Sequence, residues 1–136
     1  MIYMLDTNIC IYAIKNKPIE IINRLESFKD SKKDSLCISN ITYSELIFGA
    51  EKSKYTKKNL ISILNLLSNI QIIEFDNNSA EEFGKIRAQL EKEGKPIGIL
   101  DAMIAANAKT KGYTLVTNNE KEFNRIKDLK VVNWIN

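Results

Sequence analysis

Short apolar runs alternate with longer stretches of helical period along this chain. Ile2 to Leu5 is apolar and stops at Asp6, which predicts a buried strand. Asn8 to Ile14 reads as a helix start. Pro18 opens a second helical stretch with Ile19, Ile22, Leu25 and Phe28 on one face. Leu36 to Ser39 predicts a second strand, and Thr42 to Gly49 a helix closed by its glycine. Lys57 to Leu67 is helical, with Leu60, Ile63, Leu64 and Leu67 aligned, and Ile70 to Phe75 is a third strand. Ser79 to Glu93 predicts a helix capped by Ser79 and ended by Gly94. Asp101 to Lys111 is another helix, ended by Gly112. Tyr113 to Thr117 (strand), Lys121 to Ile126 (short helix) and Lys130 to Trp134 (strand) complete the series.

Strands alternating with helices predict an α/β fold with a mainly parallel sheet of four to five strands and helices on both faces. At 136 residues, 44% hydrophobic and 27% charged, the chain reads as one globular domain, 1–136. Its longest apolar candidate, Ile61 to Leu67, is interrupted by Ser62 and Asn65 and is too short to cross a membrane. The N-terminus shows neither a basic region nor a cleavage site, so a cytoplasmic protein is expected. Cys10 and Cys37 sit among apolar residues, without zinc-pair spacing, and read as reduced core thiols.

The chain has no histidine, which removes serine triads, His-based ribonuclease chemistry and HExxH zinc sites. The net charge of +3 is short of a nucleic-acid signature. Lys52, Lys54, Lys57 and Lys58, and Lys29, Lys32 and Lys33, form two clusters that read either as solvated faces or as weak phosphate-attracting surface.

In open parallel sheets the ligand crevice lies beyond the carboxyl ends of the strands. The polar residues at those ends are Asp6, the segment Ser39 to Glu45, Asp101, and the segment Thr117 to Phe123. Asp6 follows an apolar strand, and Asp101 opens a helix of small apolar residues. Carboxylates buried together are costly unless a cation relieves them, and oxygen donors without His or Cys select Mg²⁺ or Mn²⁺. Such a site suits phosphodiester hydrolysis without histidine. Each acid has a structural alternative. Asp6 could cap a helix, and Thr42-x-x-Glu45 matches a capping box. Asp101 could serve as a cap or first-turn acid. Glu120 and Glu122 could lie solvated on a surface helix.

Met4-Leu5-Asp6-Thr7-Asn8, Tyr43-Ser44-Glu45-Leu46-Ile47-x-Gly49-Ala50, Gly98-x-x-Asp101-x-x-Ile104-Ala105 and Thr117-x-Asn119-x-x-Glu122-Phe123 together resemble the PIN-domain family, and within it the VapC toxins of bacterial toxin–antitoxin pairs. The resemblance runs from Met1 to Trp134. It implies a PIN-like α/β/α sandwich, with Asp6 and Asp101 as metal ligands and Glu45 binding directly or through water. It also implies Mg²⁺, with Mn²⁺ as substitute, endonucleolytic cleavage of RNA, a homodimer, and inhibition by a VapB antitoxin that carries the contact to operator DNA. Gly94-Lys95-Pro96-Ile97-Gly98 resembles the subgroup that cuts initiator tRNA in the anticodon region.

Asn119 stands where many PIN domains carry a fourth acid, and Glu122 in the same segment is the candidate replacement. The expected resting state holds one metal ion, with any second ion arriving with RNA. The departure also motivates an alternative, a catalytically weak PIN-like module that binds RNA or a partner. A haloacid-dehalogenase-type phosphatase needs a second Asp where Asn8 stands, and the acid and lysine pattern of a phospho-receiver is missing.

Overall fold

The computed structural model describes residues 1–135. Five parallel strands form one sheet in the order β3-β2-β1-β4-β5. They are β1 (Ile2–Leu5), β2 (Ser35–Ser39), β3 (Gln71–Ile73), β4 (Thr114–Val116) and β5 (Val131–Val132). Between them run α1 (Thr7–Lys15), α2 (Ile19–Phe28), α3 (Asn40–Glu51), α4 (Thr56–Leu67), α5 (Asn77–Lys92), α6 (Ile99–Lys111) and α7 (Glu120–Phe123). The mainly parallel sheet expected from the sequence is thus entirely parallel.

The sheet is covered on both faces, which explains why β1, β2 and β4 carry consecutive apolar residues rather than alternating ones. Successive side chains point to opposite faces. Met4 and Cys37 therefore enter one core with Ile86, Leu90, Ile104 and Phe123 from α5, α6 and α7. Leu5, Ile38 and Val116 enter the other, with Ile9, Ile21, Leu46 and Ile63 from α1 to α4.

The chain steps outward from β1 to β2 and β3, then returns to the other side of β1 for β4 and β5. The strand order reverses between β1 and β4, so a crevice opens at their carboxyl ends. Register places Leu5 beside Val116, and the Asp6 N–H donates to the Val116 carbonyl at 2.9 Å. Asp6 and Thr117 consequently emerge side by side.

Several boundaries differ from the sequence-based expectation, each for a local reason. α3 begins at Asn40, because the Ser39 hydroxyl accepts from the Ile41 N–H and caps it there. Gly49 lies inside that helix rather than closing it. α5 is capped by Asp76, whose Oδ1 accepts the Ser79 N–H at 2.9 Å. Ser79 is not the cap; its hydroxyl turns inward to meet Asn107 Nδ2 at 3.0 Å and the Thr110 hydroxyl at 3.1 Å. Four consecutive residues, Asp76 to Ser79, are all competent caps, so sequence alone could not choose. α6 begins at Ile99, two residues ahead of expectation, and α7 is confined to Glu120–Phe123. β3 and β5 are shorter than expected because pairing ends with the neighbouring strand, not with the apolar run.

Candidate metal centre

Asp6 ends β1 and caps α1 at once. Its extended backbone (φ −66°, ψ 156°) aims the carboxylate back at the helix, where Oδ1 accepts the Thr7 N–H at 2.8 Å. Oδ2 accepts the Thr117 hydroxyl at 2.8 Å. The residue is only 3% exposed. Capping and site membership, weighed as alternatives in the sequence, are therefore compatible roles of one side chain. Burial pushes the Asp6 carboxyl above its ordinary pKa; the Thr117 and Thr7 hydrogen bonds oppose this, and the charge of Glu45 adds to it.

Glu45 lies on α3. It does not close a capping box, since Ser39 caps that helix and Glu45 is already in its second turn. Its Oε1 instead accepts the Thr7 hydroxyl at 2.7 Å, and that hydroxyl lies 3.2 Å from the Thr42 hydroxyl. Thr7 thus joins the first acid segment to the second: its N–H holds Asp6 and its hydroxyl holds Glu45.

Asp101 does not cap α6, because Gly98 holds that place. It sits in the first turn, where an acid complements the helix dipole. A side chain on Gly98 would meet Asp101 Oδ2 at 3.5 Å, so the carboxylate folds back over the helix start. Its pKa is pushed up to about 6, first by burial and then by the charges of Asp6, Glu45 and Glu122. No hydrogen bond offsets that rise. Four acids from four segments therefore share one electrostatic neighbourhood.

The fourth segment divides its work. Thr117 is fully buried. Its hydroxyl donates to Asp6 and accepts the Asn119 N–H at 2.9 Å. Asn119 stands at the N-cap position of α7 without a side-chain cap bond, so it contributes main-chain geometry here. Glu122, half-buried on α7, brings the charge felt by Asp101. Glu120 is exposed and does not enter that balance.

Among the described residues, no three acid or thiol side chains stand close enough to cage an ion as they are. The carboxylates are within electrostatic range rather than ligand contact. Their chemistry still fits a hard divalent cation. The donors are all oxygen, two of the acids have raised pKa values, and the causes are burial first and then mutual repulsion, both of which a cation would relieve.

The thiols do not compete for such a role. Burial, then the charge of Asp6, pushes the Cys10 pKa upward, and burial pushes Cys37 up to about 12. Both stay protonated and unreactive at neutral pH. Lys52 stands 5.3 Å from the Phe48 ring and Lys29 pairs with Glu26. Arg87 pairs with Glu91 one turn along its own helix.

The supporting threonines were the part that sequence reasoning left without roles. Their signal was adjacency: Thr7 follows the first acid, and Thr117 ends the strand that neighbours it. Thr117→Val removes a donor from a buried carboxylate and an acceptor from the Asn119 N–H. A loss of about 1–3 kcal/mol is expected in thermal unfolding. Thr117→Ser keeps the hydroxyl and should recover most of it.

The PIN domain family profile matches residues 3–129. The tRNA(fMet)-specific endonuclease VapC of Shigella flexneri is 42% identical over 132 residues, covering 97% of each chain. The ribonuclease VapC2 of Haemophilus influenzae is 44% identical over 133 residues, covering 98% of each. Among solved structures, the fold matches a chain of VapBC2 from Rickettsia felis bound to a promoter DNA fragment, with a TM-score of 0.92, 41% identity and coverage of 99% and 100%. It also matches DNA-bound VapBC from Salmonella typhimurium, with a TM-score of 0.90, 41% identity and 99% of both chains. With a full-length match in sequence and in fold, and its four acids gathered where the strand order reverses, the chain belongs to the PIN-domain family.

Proposed function

We propose that this single-domain protein is the toxin of a toxin–antitoxin pair, a metal-dependent endoribonuclease that hydrolyses RNA phosphodiester bonds. The observation that carries the reading is the gathering of Asp6, Glu45, Asp101 and Glu122, with the Asp101 pKa raised to about 6 by burial and by the other three. The names of the relatives support it: they are ribonucleases and a tRNA(fMet)-specific endonuclease.

PIN-domain ribonucleases generally work with divalent metal ions, and Mg²⁺, with Mn²⁺ as substitute, fits this donor set. Asp6 and Asp101 would hold the ion, with Glu45 in support. A bound divalent cation lowers the pKa of water and stabilises charge on a phosphoryl oxygen. The chain's own residues set the stage for that. Thr117 and Thr7 fix the Asp6 carboxylate through both its oxygens. Thr7 orients Glu45, whose carboxylate can direct a water toward the phosphorus and take its proton. Glu122 completes the acidic wall in place of an acid at 119.

The substrate class extends to initiator tRNA, cut in the anticodon region, on the strength of the Shigella relative's name. The partner is a VapB-type antitoxin, and contact with operator DNA runs through that antitoxin; the matching VapBC complexes from Rickettsia felis and Salmonella typhimurium are DNA-bound. The toxin itself is a homodimer acting in the cytoplasm. No helix among the described residues is long and apolar enough to cross a membrane.

Purified protein incubated with initiator tRNA tests the reading. Cleavage should require Mg²⁺ or Mn²⁺, stop with chelator, resume on adding metal back, and vanish in Asp6→Asn. Cleavage that persists in chelator overturns it. Calorimetric metal binding with no turnover points instead to the catalytically weak binding module that Asn119 raises.

A further inference from the structure

Arg125 is a charged side chain that the acidic site does not use directly. It lies just beyond α7, and its Nη1 donates to the Pro96 carbonyl at 3.0 Å. Pro96 belongs to the segment Gly94 to Gly98 that leads into α6. Gly98 caps that helix, and Asp101 stands in its first turn. On its other side, the Arg125 N–H donates to the Glu122 carbonyl at 3.1 Å. One residue is thus bonded to both segments that carry the mutually repelling acids Asp101 and Glu122.

The lead-in segment has few other hydrogen-bonded anchors, although Ile97 packs against the core. Gly94 takes a left-handed turn at φ +66°, and the N–H groups of Gly94 and Lys95 return to α5. Beyond Lys95, the Arg125 bond is the one side-chain hydrogen bond to this segment among the described residues. Arg125 forms no ion pair among the described residues. It is also absent from the groups that shift Asp101, so charge is not how it reaches that acid. Its long side chain reaches a carbonyl that a truncated one would miss.

We propose that Arg125 is a positioning residue that clamps the α6 lead-in to α7 and so sets the separation of Asp101 from Glu122. The inference rests on the reading of those acids as the metal centre. Small errors in such placement cost rate steeply, up to about a hundredfold for 1 Å.

The experiment uses the full chain with Arg125→Ala, Arg125→Lys and Asp101→Asn. RNA turnover is measured as kcat and KM separately, and Mn²⁺ binding is measured by calorimetry without RNA. Arg125→Ala should lose about tenfold to a hundredfold in kcat with KM nearly unchanged, and should bind Mn²⁺ more weakly. Arg125→Lys, which still donates to the Pro96 carbonyl, should regain most of both. A raised KM at unchanged kcat overturns the clamp and makes Arg125 an RNA phosphate contact. Wild-type kcat and Mn²⁺ binding in Arg125→Ala overturn it as well. An active Asp101→Asn sinks the underlying site reading instead; an inactive one beside a fully active Arg125→Ala removes the clamp alone.

Discussion

Asp101→Asn should strongly reduce RNA cleavage and, in the metal-free protein at pH 7, raise the melting temperature. The two effects have one origin. The Asp101 carboxyl titrates at about 6 in the fold against an ordinary 3.8, so ionising it costs more in the folded state than in the unfolded chain. Each unit of such a difference corresponds to about 1.4 kcal/mol. Partial solvent access reduces the sum to on the order of 2 kcal/mol. The lost acid also complemented the α6 dipole, which is worth about 0.3–1 kcal/mol in the opposite sense. The cost of burial and repulsion wins, leaving a net gain of about 1 kcal/mol and a rise of roughly 3–6 °C.

The pH dependence follows from the sign of the shift. Between about pH 4 and pH 6 the folded state binds the Asp101 proton more tightly than the unfolded state does. Stability from this group therefore falls as pH rises through that window and is fully lost above it. Metal-free wild type should gain melting temperature on acidification from pH 7 to pH 5, and Asp101→Asn should gain less. Activity should fall by about a hundredfold to a thousandfold, the scale for losing a group that fixes transition-state electrostatics. Adding Mg²⁺ should stabilise wild type more than the variant. A variant that is inactive but also less stable at every pH would contradict the repulsion argument.

Phe123→Ala is expected to carry the largest stability loss. Phe123 heads the fully buried side chains by volume, and it joins the core formed by Met4, Ile104 and Leu115. Truncating a buried phenylalanine costs about 3–5 kcal/mol. That corresponds to a fall of roughly 10–20 °C in melting temperature. The site should suffer further, because α7 has only four residues and no stability of its own. Phe123 is its anchor, and Glu122 is its neighbour. Calorimetric unfolding together with turnover below the melting point checks both halves. A loss under about 1 kcal/mol would show that α7 is held some other way. Phe123→Leu keeps most of the volume and should lie between the two.

Much of the architecture was legible because burial on both sheet faces leaves a strong local mark. β1, β2 and β4 carry consecutive apolar residues, and the helices between them carry a clear period, so element type and order could be read residue by residue. The positions of Asp6, Glu45, Asp101 and Glu122 at strand-to-helix junctions were legible for the same reason. Less visible was anything settled by competition between neighbours. Asp76 outranks Ser79 as the α5 cap, Ser39 starts α3 ahead of Thr42, and Gly49 continues a helix it was expected to end.

What the sequence determined by itself was the inventory: a parallel α/β chain without histidine, its acids set at strand ends, its thiols in apolar surroundings. What only tertiary structure decided was the relation among those acids. Local pattern reaches a few residues, whereas Thr117 meets Asp6 across 111 positions and Thr7 meets Glu45 across 38. The Thr117–Asp6 bond, and the repulsion from Asp6 and Glu45 that adds to burial in lifting the Asp101 pKa, exist because the strand order reverses between β1 and β4. That reversal brings separate segments to one crevice, and Coulomb and hydrogen-bond forces act over distance in space rather than along the chain.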